Sequence, residues 1–109
     1  MRKMSLDAVA REQLKNAKDN SSRRSARTVY GGHEHVLRQS VIALAEGAMI
    51  NDHISPGEAT LYVLQGRVRL TAGKDSWECR TGDLLDMPDD RQSLTAMESS
   101  VVLLTVAKP

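Results

Sequence analysis

From Ser5 onward the apolar residues Leu6, Val9, Ala10, Leu14 and Ala17 recur three or four places apart, with Asp7, Arg11, Glu12, Lys15 and Lys18 on the intervening face. That spacing predicts one amphipathic α-helix over about residues 5–18. Ser5 is its expected N-cap, and Asp7 falls in the first turn, where the helix dipole favours an acid. The run Asn20-Ser21-Ser22-Arg23-Arg24-Ser25 is polar and aperiodic and reads as a linker. Beyond it the pattern shortens to β-branched and aliphatic runs at 28–30, 36–44, 48–50, 60–64, 67–71, 76–79, 84–87, 93–96 and 101–107, each an expected strand. Gly47, Gly57, Gly66, Gly73 and Gly82 punctuate them at intervals of seven to ten residues, which argues for an antiparallel sandwich or barrel. Strict alternation in Arg67-Val68-Arg69-Leu70 turns Val68 and Leu70 inward. Gln65-Gly66 just before it reads as a tight hairpin loop, with Gly supplying a positive φ. The run 101–107 is apolar on both faces, so it needs cover on both sides, one of them the amino-terminal helix or a second subunit.

Composition narrows this picture. With 109 residues the chain has room for one domain, divided into a helix and polar linker at 1–27 and a β body at 28–109. Aromatic residues make up 3% and Phe is absent, so the core is aliphatic and most aromatic-platform modes of nucleic-acid binding are ruled out. The formal net charge of +1 conceals an asymmetry: residues 1–30 carry eight Lys or Arg against three acids, and the remainder seven against eleven. The basic arm is read as a solvated helix on an acidic body rather than as a nucleic-acid contact, because no aromatic residue interleaves its charges. A lone Cys79 excludes an internal disulfide and a multi-cysteine zinc site, and points to a cytoplasmic setting. No apolar run approaches the ~20 residues of a membrane span, so no membrane partner is expected.

Candidate chemistry concentrates in residues 47–66 and 82–93. The first segment runs from Gly47 through His53, Ser55, Glu58, Ala59 and Tyr62 to Gly66. It resembles the first signature motif of the cupins: Gly, five residues, His-x-His, three or four residues, Glu, six residues, Gly. Gly47, His53 and Gly66 fall in register, but Ser55 stands at the second His and Ala59 at the Glu, with Glu58 one place off. Such a shift turns a side chain to the opposite face unless a bulge intervenes. The second cupin signature, Gly, five residues, Pro-x-Gly, two residues, His, is similar to the segment from Gly82 through Pro88 to Ser93. Strict counting puts Ser93 at the histidine position, and a turn one residue shorter puts Gln92 there.

The resemblance implies an all-β fold, the double-stranded β-helix or jelly-roll barrel of the RmlC-like cupins, here with one amino-terminal amphipathic α-helix and the barrel over 28–109. It also implies a cavity lined by the signature strands, which makes His53, Ser55, Gln92, Ser93 and Tyr62 the candidate ligand-binding residues. Cupin metal sites use three imidazoles and a carboxylate to hold Fe, Mn, Ni, Zn or Cu. This chain offers His53 and, through a bulge, Glu58, too few donors for a tightly held ion. His33 and His35 would share a face on an extended strand, but Gly31-Gly32-His33-Glu34-His35 also reads as a solvated loop. Cys79 lies between Glu78 and Arg80 and shows no sign of an activated thiolate, and Asp86, Asp89 and Asp90 read as a solvated turn. The expected function is a non-catalytic module that binds a small ligand, as a sensor or accessory protein, with no resident cofactor. The alternative is a metal-dependent dioxygenase- or isomerase-like enzyme using His53. Small cupins usually pair their barrels, so the expected assembly is a homodimer.

Overall fold

The first element forms where the apolar spacing places it. Helix α1 spans Leu6–Asp19, and the Ser5 hydroxyl accepts a hydrogen bond from the Ala8 N–H at 3.2 Å. Asp7 in its first turn and Lys18 in its last complement the dipole. The computed structural model describes residues 2–54, 58–87 and 91–107, with the side chains of Asp52, His53 and Ile54 outside that description.

Nine strands follow among the described residues: β1 (Arg24–Tyr30), β2 (Leu37–Leu44), β3 (Met49–Ile54), β4 (Ala59–Gln65), β5 (Arg67–Ala72), β6 (Asp75–Arg80), β7 (Leu84–Asp86), β8 (Arg91–Ala96) and β9 (Ser100–Ala107). They form a five-stranded sheet in the order β1-β2-β9-β4-β7 and a four-stranded sheet in the order β3-β8-β5-β6, with every pair antiparallel. Among the described residues the sheets face each other without a ladder joining them, so the enclosure is two apposed sheets rather than a continuously bonded barrel.

Alternation along the strands builds the core. Leu61 and Val63 of β4, Val68 and Leu70 of β5, Leu94 and Ala96 of β8 and Val102 of β9 turn into the space between the sheets. A second apolar layer lies outside the five-stranded sheet, where Val9, Ala10 and Ala17 of α1 cover Val41, Ala43 and Val101. Strand β9 therefore has cover on both faces, as its doubly apolar sequence demands. Its outer cover is the chain's own helix.

Three elements differ from the sequence expectation. Strand β1 begins at Arg24 rather than residue 28, because the polar Arg24 and Ser25 pair by backbone with Leu44 and Ala43. Strand β3 continues past Ile50 to Ile54 through a register shift between Ile50 and His53, which hides it from a search for regular alternation. Gln65-Gly66 is not a hairpin loop. Strand β4 pairs with β7 and β9 while β5 pairs with β6 and β8, so Gly66 carries the chain from one sheet into the other. Its φ of 99° lies in the left-handed region, and a Cβ there would meet the Ser100 Cα at 2.7 Å as well as the Ser100 Oγ. The expected glycine conformation is present, serving a sheet crossover.

Candidate functional site

The inner faces do not close on each other completely. They leave a cavity of about 60 Å³, to which the five-stranded sheet contributes Ile42, Leu61 and Leu104 and the four-stranded sheet Ile50, Leu70, Gln92 and Leu94, with Met87 just beyond β7. Seven of these eight side chains are apolar. The exception, Gln92, is 3% exposed, and among the described residues neither its amide Nε2 nor its Oε1 has a hydrogen-bond partner. Leaving a buried amide unpaired costs on the order of 1–3 kcal/mol, so the group is unsatisfied in a place the fold otherwise keeps apolar.

Local geometry explains why Gln92 and not its neighbour enters the cavity. Strand β8 alternates strictly, with Gln92, Leu94 and Ala96 buried and Arg91, Ser93 and Thr95 turned the other way. Of the two residues that compete for the histidine position of the second motif, Gln92 takes the inward phase. Ser93 is corrected as a cavity candidate: it is half-buried on the outer face, opposite Thr71 of β5.

Two further candidates are corrected on the same physical ground. Tyr62 follows Leu61 and precedes Val63, both buried, so it faces outward and is 38% exposed beside Leu84 of β7. Glu58 precedes β4 and is exposed, while Ala59 is buried in phase with Leu61. The ladder from Ala59 to Val63 is regular, so no bulge turns Glu58 inward. His53 sits opposite Gln92 in the β3–β8 ladder, and its side chain lies outside the described residues, as does Ser55. His33 and His35 belong to the exposed connection between β1 and β2, where the His35 N–H donates to the Gly32 carbonyl and the rings of Tyr30 and His35 meet edge to face at 5.2 Å. Asp86 is exposed at the end of β7; Asp89 and Asp90 lie outside the described residues. Among the described residues no three His, Cys, Asp or Glu side chains gather where one ion would bind them.

Cys79 is buried opposite Val68 at 5% exposure. Burial pushes its thiol pKa up, and the nearby Asp83 carboxylate adds to the effect. The group is therefore a neutral core side chain at physiological pH, not a nucleophile or a thiolate ligand. The charge that acts on it is Asp83, four residues along the chain, rather than either sequence neighbour.

The apolar lining of the cavity was not among the candidates, because sequence reasoning sought polar groups. Its signal is nevertheless present: Leu61, Leu70, Leu94 and Leu104 each occupy the inward phase of a recognisable strand.

Two facing antiparallel sheets enclosing a small cavity, with a helix packed on one outer face, define an all-β protein of the jelly-roll class. No known family model matches the sequence, and no curated protein matches it. Solved structures do. A conserved protein of unknown function from Streptococcus pyogenes is 28% identical and superposes with a TM-score of 0.72 over 83% of this chain and 78% of that one. An RmlC-like cupin protein from Desulfovibrio desulfuricans is 20% identical, with a TM-score of 0.70 over 81% of this chain and 85% of that one. A variant of salicylate 1,2-dioxygenase from Pseudoaminobacter salicylatoxidans is 17% identical, with a TM-score of 0.74, covering 93% of this chain and 32% of that one. The chain is a cupin-fold protein. No helix of the described residues is long and apolar enough to cross a membrane.

Proposed function

We propose that this cupin-fold protein is a small-ligand-binding module without catalytic activity, and that its ligand lies in the cavity between the sheets against the Gln92 amide. The observation that carries this reading is the pair of orphaned polar atoms on a buried side chain in an otherwise apolar pocket. A ligand that supplies one acceptor and one donor satisfies both atoms at once, and its apolar body fits the surrounding Leu and Ile side chains. The volume of about 60 Å³ selects for size. It equals the liquid-volume share of about two waters and is far below the ~300–1,000 Å³ of pockets for drug-sized ligands. The class of ligand is a small neutral molecule of a few heavy atoms, such as a short amide.

The cupin fold implies a first-row transition metal, but the donor set here does not fit one. Ala59 is buried where the family's motif has a carboxylate, Glu58 is exposed, and the inward residue at the second motif's histidine position is the neutral Gln92. An amide and a single imidazole, His53, are a poor set for such an ion. The direct test is elemental analysis of protein purified without a histidine tag. The reading expects metal well below one equivalent, unchanged in His53→Ala. Stoichiometric Fe, Mn, Ni, Zn or Cu that disappears in His53→Ala would overturn this reading in favour of the metal-dependent alternative.

The same proposal takes the protein to be a cytoplasmic homodimer. Two features support the assembly: small cupins usually pair through a sheet face, and Tyr62 and Leu84 stand opposite each other on the outer face of β4 and β7 at 38% and 67% exposure. Sedimentation equilibrium at micromolar concentration checks it. A dimer mass is expected, and a monomer mass contradicts it.

A further inference from the structure

We propose a second, separate binding site for a small oxyanion, a carboxylate or a phosphate, in the surface groove formed by Arg67 and Arg80 beside the sheet crossover at Gly66. The groove holds about 340 Å³ and is lined by Gly66, Arg67, Arg80, Thr81 and Glu98.

The outer face of the β5–β6 ladder shows why these two arginines are unusual. Alternation sends Arg67 and Arg69 of β5 to the same face, opposite Arg80 and Glu78 of β6. One of these cross-strand pairs is complementary: Arg69 Nη2 and Glu78 Oε1 lie 3.1 Å apart. The other sets guanidinium against guanidinium, an arrangement that destabilises a sheet unless something neutralises it. Among the described residues no carboxylate comes within salt-bridge distance of Arg67 or Arg80. The Nε of Arg67 is also cut off from solvent with no hydrogen-bond partner. A half-buried guanidinium with a second one directly across the ladder, and no carboxylate paired to either, concentrates positive charge where an oxyanion would relieve the repulsion.

The surroundings hold this geometry still. The Gly66 N–H donates to the Thr81 Oγ1 at 3.0 Å, and the Thr81 N–H donates to the Gly66 carbonyl at 3.1 Å, tying the crossover to the end of β6. The Ser100 Oγ accepts from the Arg67 N–H at 3.0 Å and fixes the backbone from the other side. Glu98 is the acid on the groove wall, and Asp83 approaches the Arg80 backbone, its Oδ2 accepting from that N–H at 2.7 Å. Neither forms an ion pair with the two guanidinium groups. Glu98 opposes a bound anion, so its charge gives the proposal a signed test. The planar, five-donor guanidinium suits a bidentate oxyanion and distinguishes this groove from the neutral, apolar cavity between the sheets.

Two-dimensional amide NMR of the full chain, including the arginine Nε–H region, tests the site with sodium phosphate, sodium succinate and sodium chloride at matched ionic strength. Saturable shifts of the Gly66 and Thr81 amides and the Arg67 Nε–H are expected with phosphate or succinate and not with chloride. A response to phosphate alone assigns a phosphate ligand, and a response to succinate alone a carboxylate. Arg67→Gln and Arg80→Gln should each weaken binding at least tenfold, while Glu98→Gln should tighten it several-fold. Arg80 is exposed, so Arg80→Gln remains decisive if Arg67→Gln fails to fold. Equal shifts with chloride, unchanged binding in Arg80→Gln, or weaker binding in Glu98→Gln would overturn the proposal.

Discussion

Replacing Gln92 by Met separates a residue kept for binding from one kept for stability. The Gln92 side chain is buried at 3% exposure, with both amide atoms lacking partners among the described residues. Burying such an amide costs on the order of 1–3 kcal/mol, and two waters in the cavity would recover part of that. Met has nearly the same length and no polar terminus, and a shape-conserving exchange in a core costs less than about 1.5 kcal/mol. The net expectation is a gain of about 1 kcal/mol, which for a domain near this size raises the Tm by roughly 4–8 °C. Urea denaturation and calorimetry of both proteins measure it, with the m-value required to stay constant. A Gln92→Met protein less stable than the wild type by more than about 1 kcal/mol would refute the reasoning, because it would show that the amide is already satisfied in the native state.

Further outcomes follow from the same geometry. Gly66→Ala places a Cβ against the Ser100 backbone at a left-handed φ, and a loss of about 2–4 kcal/mol in urea denaturation is expected; a loss below 0.5 kcal/mol would show that the crossover relaxes freely. Ser100→Ala removes, from a fully buried side chain, the acceptor of the part-buried Arg67 N–H and should cost about 1–3 kcal/mol, read from the same transition. The raised pKa of Cys79 has a signed consequence. Its contribution to stability is fully present below the unfolded thiol value of about 9.0 and is lost as pH rises through the higher folded value. Wild-type protein should therefore lose stability relative to Cys79→Ala as pH rises above about 9.0, and parallel curves would contradict the burial argument.

Much of the fold was legible because its elements obey simple periods. The helix over Leu6–Asp19 carries a full capping and amphipathic pattern, and β5, β8 and β9 alternate or saturate with aliphatic residues. What escaped was backbone pairing that side chains do not announce. Arg24 and Ser25 join β1 despite their polarity, and the register shift in β3 breaks the period around Asn51 and Asp52. Gly66 signals a positive φ equally well for a hairpin or a sheet crossover, and only long-range pairing distinguishes the two. For the site, motif counting left Gln92 and Ser93 as rivals, whereas the phase of Leu94 and Ala96 decides between them. The same phase argument disposes of Tyr62, flanked by Leu61 and Val63, and of Glu58, displaced by one residue from the inward Ala59. The opposition of Arg67 to Arg80 was hidden, because register between strands is not written in either strand alone.

The central claim is that the cavity takes a small neutral ligand through Gln92. Methyl-resolved NMR titration with a short series of amides, from acetamide to butyramide, tests it most directly. The account predicts saturable shifts of the Leu61, Leu70, Leu94 and Leu104 methyl groups in the wild type, falling off as the amide outgrows the cavity and absent in Gln92→Met. Identical titrations in the two proteins, or none in the wild type, would contradict it.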